Sequence, residues 1–154
     1  MNFETALVNC LNKSYYDNKT TALAYRYQKS TRFTAQPCDV LIDSPERNPN
    51  YCAIECKSLT LSGQRTKLYF SSHFSDSGKK HQIERMKDFL NKTGRRGHLA
   101  VELKNKPHRK AYILDFAPVY DLWADLLPGV TLDMIKEGHP LVWHGNWSKG
   151  YYTY

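Results

Sequence analysis

The chain has 154 residues, of which 41% are hydrophobic and 24% charged, a length and balance typical of one soluble domain, here residues 1–154. Its apolar runs are too short for a transmembrane helix, and its first residues lack the pattern of a signal peptide, so the sequence predicts a cytoplasmic protein that does not bind membranes. The net charge of +7 favours an acidic partner such as nucleic acid.

The first half of the chain is predicted to contain one helix and three strands. Apolar residues at four-residue spacing predict a helix over residues 3–17. Strands are predicted at Thr21–Tyr27, after Pro37, and from Tyr51 to about Ser58. Residues 44–50 form a loop by composition.

The second half is predicted to begin with a long loop over residues 60–77, which contains one extended piece at Lys67–Ser71. Ser77 lies in the N-cap region of a helix from about Lys79 to Thr93, and Gly94 ends that helix. Two further strands and two short helices are predicted downstream, at His98–Leu103, Lys110–Asp115, Phe116–Leu127 and Thr131–Glu137.

The aromatic-rich tail from Pro140 to Tyr154 has no predicted element. The order of the other elements predicts an α/β sandwich around a mixed sheet. The four cysteines match no paired zinc-binding spacing, and the usual behaviour of free cysteine predicts buried thiols. These are Cys10, Cys38, Cys52 and Cys56.

Four polar side chains are predicted to meet where the strand after Pro37 pairs with the next strand. Asp39 begins the first strand, and Glu55 and Lys57 share one face of the second because strand side chains alternate. Gln82, in the first turn of the following helix, is predicted to point toward the sheet and to position water or complete a metal shell. Two carboxylates beside a lysine can hold Mg²⁺ or Mn²⁺ and stabilise a transferring phosphoryl group. The set predicts a metal-dependent nuclease, although a surface ion pair would also explain the Glu-x-Lys pattern.

Basic residues are concentrated between Arg65 and Arg96, where nine Lys or Arg stand against three acids. We expect this segment to contact DNA phosphates. The basic residues at the end of the predicted strand Thr21–Tyr27 and just after it could do the same, although they also fit a solvated edge. The candidate DNA-binding residues are Arg26, Lys29, Arg32, Arg65, Lys67, Lys79, Lys80 and Arg85.

The arrangement resembles the PD-(D/E)xK nuclease superfamily, whose signature is an acid at the start of one strand and acid-x-Lys on the next. More of the chain is similar to the RecU-type Holliday junction resolvases. The similar stretches are Glu4-x-x-Leu7, Asn12-Lys13-Ser14-Tyr15-Tyr16, Tyr51–Ser58, His81–Lys87 and Gly138-His139-Pro140 with the Tyr-rich end.

The resemblance implies a restriction-endonuclease-like fold and a homodimer that resolves four-way DNA junctions in recombination and repair. It implies that Asp39, Glu55 and Gln82 are metal ligands and that Lys57 stabilises the transition state. It also implies that Glu4 is a catalytic acid near the site, whereas its position alone fits a first-turn acid that complements the helix dipole.

Two features differ from that family. Pro37 stands where the family commonly has a threonine of the metal site, and the short connection over residues 29–36 replaces a long stalk. Two alternatives therefore stay open. One is a nuclease of the same fold with another DNA target, such as a restriction-type enzyme or a repair nickase. The other is a non-catalytic nucleic-acid-binding module whose aromatic tail stacks on bases.

Overall fold

The computed structural model describes residues 1–28, 35–47, 49–63, 67–76 and 79–154. Its helices are α1 (Phe3–Asp17), α2 (Phe70–His73), α3 (Gln82–Thr93), α4 (Phe116–Ala124) and α5 (Leu132–Lys136). Its strands are β1 (Leu23–Arg26), β2 (Val40–Asp43), β3 (Cys52–Thr60), β4 (Lys67–Tyr69), β5 (Arg96–Asn105), β6 (His108–Asp115), β7 (Gly129–Thr131), β8 (His139–Gly145) and β9 (Gly150–Thr153). Of the helices in these ranges, none combines the length and apolar character needed to cross a membrane.

Seven strands form one curled sheet in the order β1-β2-β3-β5-β6-β8-β9, and β4 pairs with β7 in a separate sheet. β3 and β5 run parallel, while the other neighbours in the large sheet run antiparallel. Parallel neighbours need a crossover connection, and the segment that contains α3 supplies it. The predicted mixed sheet is therefore confirmed.

Helices cover both faces of this sheet. On one face, Leu7 and Leu11 of α1 pack in one cluster with Ile54 of β3. On the other face, α3 and α4 contribute Met86 and Val119 to a second cluster. The predicted α/β sandwich is confirmed, and all four cysteines are buried free thiols, as predicted.

The beginning of α3 differs from the prediction by three residues. The helix starts at Gln82, and its N-cap is His81, whose side chain accepts a hydrogen bond from the Ile83 backbone N–H. Ser77 lies outside the described residues. The C-terminus agrees with the prediction, because Gly94 ends the helix in the left-handed conformation with φ 70°.

Two regions contain structure that the composition did not predict. Within the expected loop over residues 60–77, the predicted extended piece is confirmed at Lys67–Tyr69 as β4, but α2 replaces it from Phe70, because Leu68 and Phe70 reach the core among polar neighbours. The C-terminal tail forms the hairpin β8–β9. Its Tyr152 is almost fully buried and packs edge-on against Phe3 of α1.

Candidate active site

Glu55, Lys57 and Gln82 form one contact cluster on the face of β3 that α3 covers. The Lys57 Nζ atom lies 2.6 Å from Glu55 Oε1 and donates to Gln82 Oε1 at 3.1 Å. The Gln82 Nε2 atom donates to the same Glu55 oxygen at 2.6 Å. The first residue of α3 is thus joined directly to two neighbouring side chains of one strand.

Asp39 joins this cluster from the residue before β2. Its backbone N–H donates to the Ile54 carbonyl at 3.0 Å, and its Oδ2 accepts from the Cys56 backbone N–H at 2.9 Å. Burial raises the pKa of the Asp39 carboxyl, while the Cys56 N–H and the Lys57 charge act in the opposite direction. The hairpin therefore fixes one carboxylate beside a second one.

Glu55 is the most buried acid of the cluster, with 2% of its surface exposed. Burial and, to a smaller extent, the Asp39 charge raise its pKa to about 7, against the opposing effect of Lys57. Its Oε2 atom has no hydrogen-bond partner among the described residues. A buried carboxylate oxygen without a partner is costly unless a cation approaches it.

The two carboxylates fit a hard divalent cation, because both are oxygen donors and the Asp39 charge raises the cost of ionising Glu55. Within the described ranges, no group of three or more His, Cys, Asp or Glu side chains is placed to hold a metal. Further ligands would therefore be amide or carbonyl oxygens and water, as is common for Mg²⁺.

Gln82 has its amide oxygen fully occupied. Besides Lys57, the Ser75 backbone N–H donates to Gln82 Oε1 at 3.1 Å, and an amide oxygen has two lone pairs. Metal ligation by Gln82 stays a prediction, and it would require the exchange of one of these two bonds. In the arrangement described, Gln82 orients Glu55 and Lys57.

Glu4 lies at the edge of the cluster, half-buried in the first turn of α1. Its charge is among those that raise the pKa of the Asp39 carboxyl and of the Cys56 thiol. The fold thus brings Glu4 near the site, and its catalytic role stays a prediction.

Sequence reasoning missed two residues of the site, Phe74 and Ser75. The Lys57 ammonium lies 4.8 Å from the centre of the Phe74 ring, and Phe74 is 4% exposed. Ser75 forms two hydrogen bonds with Gln82: its backbone N–H donates to the Gln82 side-chain oxygen, and its carbonyl accepts from the Gln82 backbone N–H at 2.9 Å. The one available signal was an apolar Phe within a Ser-rich stretch.

Several of the residues predicted to contact DNA lie at the surface. Arg26 is exposed at the end of β1, Lys67 is half-buried in β4, and Lys79 is exposed before α3. Lys29, Arg32 and Arg65 lie outside the described residues.

The other two predicted DNA contacts have internal partners. Lys80 forms a salt bridge with Asp88 of α3. Arg85 donates to the Lys80 carbonyl at 2.6 Å and to Ser75 Oγ at 2.8 Å. Arg85 therefore helps to hold the segment that contacts Gln82.

No family model and no curated protein matches the sequence, but solved structures do match the chain. One is the 1.6 Å structure of Hjc, a Holliday junction resolvase from the hyperthermophilic archaeon Archaeoglobus fulgidus. The two chains share 18% identity with a TM-score of 0.55, over 89% of this chain and 90% of that one. At this identity the likeness shows the fold, so the chain has the restriction-endonuclease-like architecture of that resolvase.

Proposed function

We propose that the chain is a divalent-metal-dependent endonuclease whose substrate is branched DNA, specifically four-way (Holliday) junctions. The observation that carries the proposal is the pairing of half-buried Asp39 with buried Glu55, with the Lys57 ammonium 2.6 Å from Glu55. The fold supports it, because an archaeal Holliday junction resolvase shares it over most of both chains.

Asp39 and Glu55 would hold the metal, with Mg²⁺ the first expectation and Mn²⁺ the second. Gln82 would add a further oxygen after the exchange of one hydrogen bond. A bound divalent ion supplies positive charge and lowers the pKa of a coordinated water. This assignment explains Glu55 Oε2, which has no hydrogen-bond partner among the described residues, as a metal-binding oxygen.

Besides the metal ion, the proposed site has a positive charge from a side chain, the Lys57 ammonium. Its side chain is 17% exposed, and Glu55, Gln82 and Phe74 fix the position of its ammonium. A preorganised charge in a site that excludes water stabilises a phosphoryl transition state more strongly than the same charge in bulk water. We assign Lys57 this role.

The proposal extends to the setting of the reaction. A homodimer would present two such sites to the opposing strands of one junction, and resolved junctions are products of DNA recombination and repair. Formation of the homodimer is part of this proposal. So are phosphate contacts by the exposed basic residues and a cytoplasmic location.

The test is a substrate panel. Purified protein is incubated with a labelled four-way junction, a linear duplex of the same sequence and a single strand, with Mg²⁺ or with a chelator. We expect paired nicks in the junction, in Mg²⁺ only. Equal cutting of junction and linear duplex would favour a nuclease of the same fold with another target. Salt-sensitive binding without cleavage of any substrate would contradict the nuclease proposal.

A further inference from the structure

A second basic surface lies at the other end of β3 from Lys57. Arg47, Tyr51, Gly94 and Arg96 line an open pocket of about 260 Å³, and no described residue that lines it is acidic. None of these residues belongs to the site described above.

Arginine contacts give this pocket a fixed wall. The Arg95 guanidinium lies 4.0 Å from the centre of the Tyr51 ring, and the Arg47 guanidinium lies 5.3 Å from it. Arg95 is held rigidly, because it donates to Asp43 at 2.8 Å and to the Ile42 carbonyl at 2.9 Å. Tyr51 is therefore a platform whose position is set before any ligand arrives.

The charge of the pocket is not neutralised within the described residues. Asp43 compensates Arg95, whereas neither Arg47 nor Arg96 forms a salt bridge with a described acid. The C-terminus of α3, which ends at Gly94, contributes about half a negative charge at most. Two exposed guanidinium groups exceed that, so the pocket keeps a net positive charge.

We propose that Arg47, Tyr51 and Arg96 form a phosphate-binding site for the backbone of the same nucleic acid that reaches Glu55. The inference rests on the proposed function for the identity of the ligand. Arginine suits a phosphodiester, because its planar fork donates two parallel hydrogen bonds to phosphate oxygens.

The spacing along β3 agrees with this assignment. Tyr51 and Glu55 are four residues apart and share one side of the strand by alternation, a separation of about 13 Å. A phosphate in the pocket would thus belong to the same backbone as the one at Glu55, a few nucleotides away.

The test measures DNA binding without cleavage. The affinity for a fluorescent four-way junction is measured by anisotropy in EDTA over roughly 50 to 200 mM salt. The variants are Arg96→Gln and Arg47→Gln, and the matched control is Lys136→Gln, which removes the same charge from an exposed position of α5. Melting temperatures verify folding, and Arg47 in its exposed loop is the variant least able to disturb the core.

We expect each arginine variant to reduce the slope of log affinity against log salt by about 0.9, the value for one lost phosphate contact. The control keeps the wild-type slope. Wild-type slopes in both folded arginine variants would overturn the site. So would calorimetric binding of inorganic phosphate that depends on Arg96 while the DNA slopes stay unchanged, because that would show a pocket for free anions.

This outcome is separate from that of the nuclease proposal. Reduced slopes in a protein that cuts no DNA would uphold the phosphate site and reject the nuclease. Unchanged slopes in a protein that cuts junctions would do the reverse.

Discussion

At the scale of single residues, Lys57 is held from three sides. Glu55 and Gln82 contact its ammonium directly, and the Phe74 ring lies 4.8 Å from it. The first two contacts fix its direction, while the third attracts the ammonium through the ring quadrupole and excludes water from that side. Phe74 is therefore a positioning residue for the proposed chemistry.

Replacing Phe74 tests that role. We expect Phe74→Leu to slow junction cleavage about tenfold, as a desolvated cation–π contact of about 1–2 kcal/mol implies, with unchanged DNA affinity. Phe74→Tyr, which keeps the ring, should recover most of the rate and the wild-type dependence of rate on pH. A leucine variant with both the wild-type rate and pH profile would contradict the assignment.

The burial of Glu55 predicts how stability depends on pH. Its pKa rises from 4.5 to about 7 on folding, so between these values the folded state binds more protons than the unfolded state. The free energy of unfolding then falls as pH rises through that window. From pH 5 to pH 8 the metal-free wild type should lose about 2–3 kcal/mol more than Glu55→Gln does.

Urea unfolding of both proteins at the two pH values, with EDTA present, measures this difference. The same pH dependence of stability in wild type and variant would show that folding does not raise the pKa of Glu55.

At the scale of elements, buried Glu102 links four strands of the sheet. Its carboxylate accepts from Ser58 of β3 at 2.9 Å and from Tyr152 of β9 at 2.9 Å. Arg109 of β6 forms a short ion pair with it. This network holds the C-terminal hairpin to the centre of the sheet.

Removing the carboxylate should release that hairpin. We expect Glu102→Ala to lower the free energy of unfolding by about 3–5 kcal/mol, because it leaves the Arg109 charge buried without its partner. Glu137→Ala, an exposed acid that follows α5, is the control and should change stability by less than about 0.5 kcal/mol. Denaturant unfolding compares the two, and similar losses would exclude a structural role for the Glu102 network.

Features that depend on local sequence patterns were predictable, whereas features that depend on contacts between distant residues were not. The alternation within β3 is local, so the shared face of Glu55 and Lys57 was predictable. The position of Gln82 followed from helical periodicity. Glu102 and Tyr152 were not predictable, because a buried acid in a strand and a paired tail depend on partners fifty residues apart. Phe74 was missed for a different reason, because its polar neighbours in sequence hide a buried position.

At the scale of the whole molecule, the mixed sheet explains why four distant residues converge. The hairpin of β2 and β3 brings Asp39 to Glu55, and the crossover to β5 returns the start of α3 over them. The order of elements was enough to predict this class of fold. It could not predict the β4–β7 sheet, whose strands are about sixty residues apart, nor the pocket at Tyr51, which depends on packing between separate loops.

The single-turnover rate of junction cleavage in Mg²⁺ tests the central claim most directly, that Asp39, Glu55 and Lys57 form a metal-dependent nuclease site. The comparison is between Glu55→Gln and Glu137→Gln, the same change at an exposed acid that follows α5 and lies outside both proposed sites. We expect Glu55→Gln to cut at least about a thousandfold more slowly than the wild type and Glu137→Gln to cut within a few-fold of it. Cleavage by Glu55→Gln at the wild-type rate would contradict the account.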